Sequence, residues 1–280
     1  GAFAPFLVFS VYRAFGTWRP AVVIPGLLGG MWLLLWHAFY RRPEEHPRVT
    51  PEELAYIRGA HFNTALPEHS SAVPWHRLLR YKQTWGIILG RFLLDPFWYM
   101  MSEWFAVYLV AKGFSIEVSV LGYWAPFLAA DVGNFLGGGL SSMFIARGWS
   151  VGSARRIVLW IFGPAMLILL AATLTSIYAL LILFFSLATL AYASCSTIFL
   201  SLPADVFETK AVASVSGLGG TAAGLGTLIS TYLIGVVADR GSFKPVIVSA
   251  SIIPLVAVIL MTSLVRSSNK PDPFSLLRIF

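Results

Sequence analysis

Apolar runs long enough to cross a bilayer recur along this chain, and they constrain its fold more than any other feature. They lie at about 19–40, 85–111, 119–146, 157–175, 178–201, 213–238 and 245–265, with a shorter run at 1–15. A helix needs about 20 apolar residues, each rising about 1.5 Å, to span roughly 30 Å of hydrocarbon. Backbone polar groups find no water there, so each run must satisfy itself as a helix. The pattern predicts an all-α polytopic membrane protein with seven full spans and a stump. Composition agrees, at 57% hydrophobic and 12% charged residues with a mean hydropathy of +0.75. A soluble domain carries about 25% charged residues.

Charge placement sets the topology. Fourteen Lys and Arg residues, among them Arg41, Arg42, Arg77, Arg80, Arg147, Arg155, Arg156 and Lys210, fall on the side of the polar linker at 41–84. Five (Arg13, Arg19, Lys112, Arg240 and Lys244) fall on the other, and Arg91 lies inside a span. The bias puts the linker in the cytoplasm. The net charge of +7 is spread over helix ends and forms no single patch, so it points to topology and away from nucleic acid. Cys195 is the only cysteine, which excludes a disulfide framework, and the five histidines sit in or beside the linker without metal-ligand spacing. No metal and no cofactor is expected. Within the linker, Thr50-Pro51-Glu52-Glu53 reads as an N-cap, a first-position Pro and an acidic first turn.

The run at 85–111 holds Arg91, Asp95 and Glu103. From Trp85, Arg91 lies about 9 Å and Asp95 about 15 Å deep, where ionisable groups cost several kcal/mol unless partnered or facing water. Arg91, Asp95, Tyr99 (or Trp98) and Ser102 recur at helical spacing and share one face. They could line a substrate cavity, with Arg91 attracting a carboxylate and Trp98 and Tyr99 offering rings to a sugar. Alternatively, Arg91 and Asp95 neutralise each other as a structural tie. Asp95-Pro96 invites a kink, and Glu103 reads as a mark of the outer surface.

Other spans carry further candidates. Asp131 and Asn134 share a face near mid-membrane and could bind hydroxyls or a cation, or bond helix to helix. Ser194, Ser196 and Thr197 could face a cavity or bond back to their own helix. Gly133, Gly137, Gly138 and Gly139 invite close backbone approach, as do Gly220 and Gly224 in a stretch that lacks a complete dinucleotide fingerprint. On that stretch, Ser216 and Thr221 are the polar groups able to reach a substrate.

The segments 32–57, 94–109 (LDPFWYMMSEWFAVYL), 137–156 (GGGLSSMFIARGWSVGSARR) and 201–240 resemble major facilitator transporters, and in particular the anion:cation symporter family with its bacterial hexuronate and galactonate transporters. The resemblance implies two six-helix bundles that rock around a midplane site. The run 85–265 then makes the C-terminal bundle, and 1–40 the last one and a half helices of the N-terminal bundle. The remaining expected divisions are the cytoplasmic linker 41–84 and a cytoplasmic tail at 266–280. The resemblance implies a multi-pass protein of the bacterial inner membrane, with the lipid bilayer and a small organic anion as its partners. It implies monomeric, proton-coupled symport of a sugar acid by alternating access, with a gating loop bearing Arg147, Arg155 and Arg156. It also places the main coupling residues on helices outside these 280 residues, which alone are expected not to transport. A membrane enzyme would need converging acid–base or nucleophilic groups, and a receptor would typically carry a larger soluble domain than the linker allows.

Overall fold

The computed structural model describes residues 4–55, 73–115, 118, 119, 122 and 124–265. Part of the linker and the tail expected at 266–280 lie outside the described residues. Contacts divide the chain into a unit within residues 3–71 and a unit within 72–280.

In the first unit, α1 (Ala4–Phe15) and α2 (Arg19–Phe39) are joined by a short turn. Trp36 and Tyr40 stack at 4.5 Å near the end of α2. The predicted cap in the linker is present, because the Glu53 N–H donates to Thr50 Oγ1 at 3.1 Å and a helical turn runs over 51–55.

Among the described residues, the second unit holds, after a short helical turn at Trp75–Leu78, six longer helical stretches. The first, α3 over 82–111, comprises Lys82–Leu94, Pro96–Tyr99, a widened turn at Met100–Trp104, and Phe105–Ala111. Then follow α4 (Trp124–Ala146), α5 (Val151–Ala165, tightening to a 3₁₀ stretch Met166–Thr173), α6 (Tyr178–Val206), α7 (Thr209–Ala238) and α8 (Lys244–Leu264). The α4–α5 and α7–α8 turns are tight because Gly148 and Gly241 take φ of 89° and 77°, which a side chain would strain. Ser150 caps α5, accepting the Ser153 N–H at 3.3 Å.

Five described helices are long and apolar enough to cross a bilayer: Arg19–Phe39, Val151–Thr173, Tyr178–Val206, Thr209–Ala238 and Lys244–Leu264. Two predicted spans fall short for physical reasons. In α3 the helix is interrupted at Asp95 and by the widened turn at Met100–Trp104. In α4 the residues Asp131 and Asn134 and a run of glycines dilute an otherwise apolar sequence.

Glycines decide which helices meet. A Cβ on Gly133 would collide with the Leu190 carbonyl oxygen, and one on Gly137 with the Ser194 backbone. Thus α4 and α6 pack backbone to backbone, the most extensive helix pairing in the unit. Gly139 takes no part in this seam, and Gly138 meets α6 only through the Thr197 methyl, 3.6 Å from where its Cβ would stand. On α7 the close approaches are made by Gly219, against Ile87 and Arg91, and Gly226, against the Phe92 carbonyl oxygen. The face expected from Gly220 and Gly224 is not the packing face, since nothing lies within 4 Å of a Cβ on Gly224. The seam instead follows Val215, Gly219, Ala222 and Gly226, the buried row of α7. Pro96 explains the last contact. It has no N–H for the carbonyl of Phe92 four residues earlier, and that freed oxygen is the atom beside Gly226.

Aromatic packing holds the end of the bundle near Lys112. Phe105 meets Phe185 at 4.3 Å, and the Tyr108 hydroxyl donates to the Ala172 carbonyl at 3.0 Å, tying α3 to α5.

Candidate functional site

The interruption of α3 positions its charged pair. Arg91 Nε and Nη2 donate to Asp95 Oδ2 at 3.0 and 2.7 Å. The Asp95 side chain is 9% exposed and that of Arg91 19%. Two bonds to one oxygen from one helical turn away neutralise most of the cost of both charges in hydrocarbon. The pairing predicted as an alternative is therefore present. It does not use the whole guanidinium. Nη1 lies about 4 Å from where a Cβ on Gly219 or Gly220 would stand, so the absence of side chains on α7 leaves room around it.

Beyond Asp95 the site continues onto α6 and α4. Tyr192 stands beside Asp95 and Ser196, and its ring is near-parallel to that of Trp98 at 6.0 Å. Trp98 in turn meets Phe127 of α4 edge-on at 5.3 Å. Phe127, Asp131, Asn134 and Gly138 recur at helical spacing on one face of α4. At the next turns of that face, the Thr197 hydroxyl is 2.9 Å from Asn134 Oδ1 and its methyl would be 3.6 Å from a Cβ on Gly138. Asp131 and Asn134 are exposed. A connected polar and aromatic surface thus runs from Arg91 through Asp95, Tyr192 and Trp98 to Asn134 and Thr197, over three helices, with Gly219 and Gly220 of α7 beside its Arg91 end.

Some predicted residues are placed differently. Asp95 is buried while Tyr99 is 41% exposed, so the expected stripe splits. The Thr221 hydroxyl is exposed and bonds back to the Gly217 carbonyl at 3.0 Å. Ser194 is buried, 2.8 Å from the Gly133 carbonyl oxygen, and belongs to the α4–α6 seam. Tyr192 was missed. Its signal is its i−4 spacing from Ser196 on a helix already carrying Ser194 and Thr197.

At the linker end, Arg155 Nε donates to Asp205 Oδ2 at 2.9 Å and Nη1 to Ser141 Oγ at 2.9 Å, joining α5, α6 and α4. Ser201 approaches the same Asp205 oxygen at 3.5 Å. Arg147 is exposed and Arg156 half-buried. Arg155 thus bonds across helices, and Asp205 is a partner that sequence reasoning overlooked. Arg155→Ala is expected to lower stability by about 1–3 kcal/mol, since it strands Asp205, against about 0.5 kcal/mol or less for Arg147→Ala. Thermal unfolding in detergent measures the contrast.

No family model matches the chain. It is similar to membrane carriers of organic acids. The hexuronate transporter of Escherichia coli K12 is 28% identical over 263 residues, covering 91% of this chain and 59% of the relative. The galacturonate transporter of Dickeya chrysanthemi is 32% identical over 145 residues, 51% of this chain and 42% of the relative. The D-galactonate transporter of Escherichia coli O6:H1 is 25% identical over 252 residues, 87% of this chain and 58% of the relative. These relatives agree with the resemblance to the anion:cation symporters of the major facilitator type. The apolar helices and these relatives together describe an integral membrane protein. The chain spans about three-fifths of the length of the first of these relatives.

Proposed function

We propose that the chain forms part of a secondary transporter that moves a sugar acid, a hexuronate or an aldonate, across a bacterial inner membrane by alternating access with proton coupling. The observation that carries this reading is the polar surface across α3, α4 and α6, centred on a guanidinium beside the glycines of α7 and only partly used by Asp95. A carboxylate and several hydroxyls need a cation, hydrogen-bonding groups and an apolar ring face in one place. Arg91 supplies the first, and Asn134, Thr197 and Tyr192 the second. Trp98 and the exposed Tyr99 supply the third. Asp131, exposed at membrane depth on the same α4 face, adds a group able to accept a hydroxyl or carry a proton. Arg155 with Asp205 and Ser141 holds the linker ends of three helices together, and breaking that tie opens the path to the cytoplasm in one half of the cycle. The relatives named as hexuronate, galacturonate and galactonate transporters support this substrate class for the protein that contains this chain.

The test is uptake of labelled glucuronate and galactonate by cells expressing that protein. Asn134→Ala removes a hydrogen-bonding group without touching the Arg91–Asp95 pair. It is expected to weaken apparent affinity about tenfold, the value of one lost bond of roughly 1.4 kcal/mol, at unchanged expression. Normal uptake of both acids by Asn134→Ala, Trp98→Leu and Asp131→Asn alike would remove this surface from the substrate path.

A further inference from the structure

A second polar feature lies at the end of the bundle near Lys112, away from the surface on α3, α4 and α6. Where α3 and α5 end and α8 begins, a cavity of about 180 Å³ is lined by Lys112, Lys244, Ser242, Thr173, Tyr108 and Gly241. Lys112 is half-buried over the Tyr108 ring, 5.7 Å from its centroid, with Nζ 3.1 Å from the Thr175 carbonyl oxygen. Lys244 is exposed at the first residue of α8.

We propose that this cavity binds a phosphate oxyanion, presented at the membrane interface by the headgroup of an anionic phospholipid. Three observations support it. First, between residues 82 and 265 the basic residues at this end are Lys112, Arg240 and Lys244. Two of them line the cavity, and the third lies one residue before its Gly241 wall, with Asp239 as the neighbouring acid. The charge rule disfavours basic residues here, so their convergence at one place calls for a local anion. Second, two ammonium groups and the Ser242 hydroxyl make a donor set suited to phosphate oxygens. Third, Val248, Ile252, Val256 and Ile259 of α8 are all exposed at helical spacing. They form an apolar track that starts one residue past the cavity-lining Ile247, as an acyl chain below a headgroup requires. The substrate surface above uses residues 91–99 of α3 with α4 and α6, whereas this cavity uses Tyr108 and Lys112 at the far end of α3 with Thr173 and Lys244, so the two share a helix but lie at different levels of it.

Native mass spectrometry of the full chain in detergent tests the proposal, with equal amounts of a phosphatidylglycerol and a phosphatidylcholine of the same acyl chains. The wild type is expected to retain the anionic lipid about tenfold better, and Lys244→Gln to lose that preference. Lys244→Arg keeps it. Inorganic phosphate is titrated in parallel. Displacement of the lipid by millimolar phosphate supports the oxyanion site with a soluble source, and no displacement supports it with the lipid as source. Equal retention of the two lipids by the wild type overturns the proposal. So does an undiminished preference in both Lys244→Gln and Lys112→Gln/Lys244→Gln, provided these variants melt as the wild type does.

Discussion

Arg91→Met is expected to destabilise the bundle by about 3–5 kcal/mol and to abolish sugar-acid uptake. Met matches the length of the arginine stem but leaves the Asp95 carboxylate, whose side chain is 9% exposed, without its two donors. An uncompensated buried charge accounts for the stability loss. The double variant Arg91→Met/Asp95→Leu separates structure from binding. It removes both charges together and is expected to recover most of the stability, as apolar replacements of buried pairs commonly do. Uptake is expected to stay abolished, because Nη1 near Gly219 and Gly220 is gone. Thermal unfolding in detergent and uptake, measured on the same preparations, give the answer. If the double variant both folds and transports, the pair is a structural tie and the carboxylate is bound elsewhere.

Gly226→Leu is expected to cost about 3 kcal/mol, the upper part of the range for overpacking. The atom that its Cβ would meet is the Phe92 carbonyl oxygen, a backbone group that cannot swing aside like a side chain. Gly224→Leu, two residues earlier on the same helix, has nothing within 4 Å. It is expected to be neutral or slightly stabilising, through the better helix propensity of Leu. Size-exclusion recovery after heating in detergent compares the two variants. Equal recoveries would show that α3 and α7 can separate at Phe92 without cost, and that the gap left by Pro96 is not filled by α7.

Much of the architecture was legible in the sequence because membrane burial is written in one dimension. Twenty apolar residues, flanked by Lys or Arg on one side and a turn residue on the other, fix a helix whatever it touches. Thr50 capping a turn and Asp95-Pro96 interrupting α3 were equally readable, since both effects are local in the chain. The candidate site was readable only in part. Helical spacing put Arg91, Asp95 and Tyr99 on one stripe, but the break in α3 leaves Asp95 buried and Tyr99 exposed. The glycines were harder still. Gly137 and Gly139, or Gly224 and Gly226, differ in nothing that composition or spacing records, and what separates them is the backbone opposite.

The sequence by itself determined that this is a polytopic helical membrane protein with charges held at mid-span, because hydrocarbon permits no other reading of such runs. Only the tertiary structure decided how those charges are used. Arg91 spends two donors on Asp95 and keeps Nη1 beside side-chain-free α7, Tyr192 bridges to Trp98, and Arg155 finds Asp205 fifty residues away. These are contacts between different helices or across a broken one. They depend on rotation and approach distance, which glycine and proline set through the neighbour's backbone and which no single helix encodes alone.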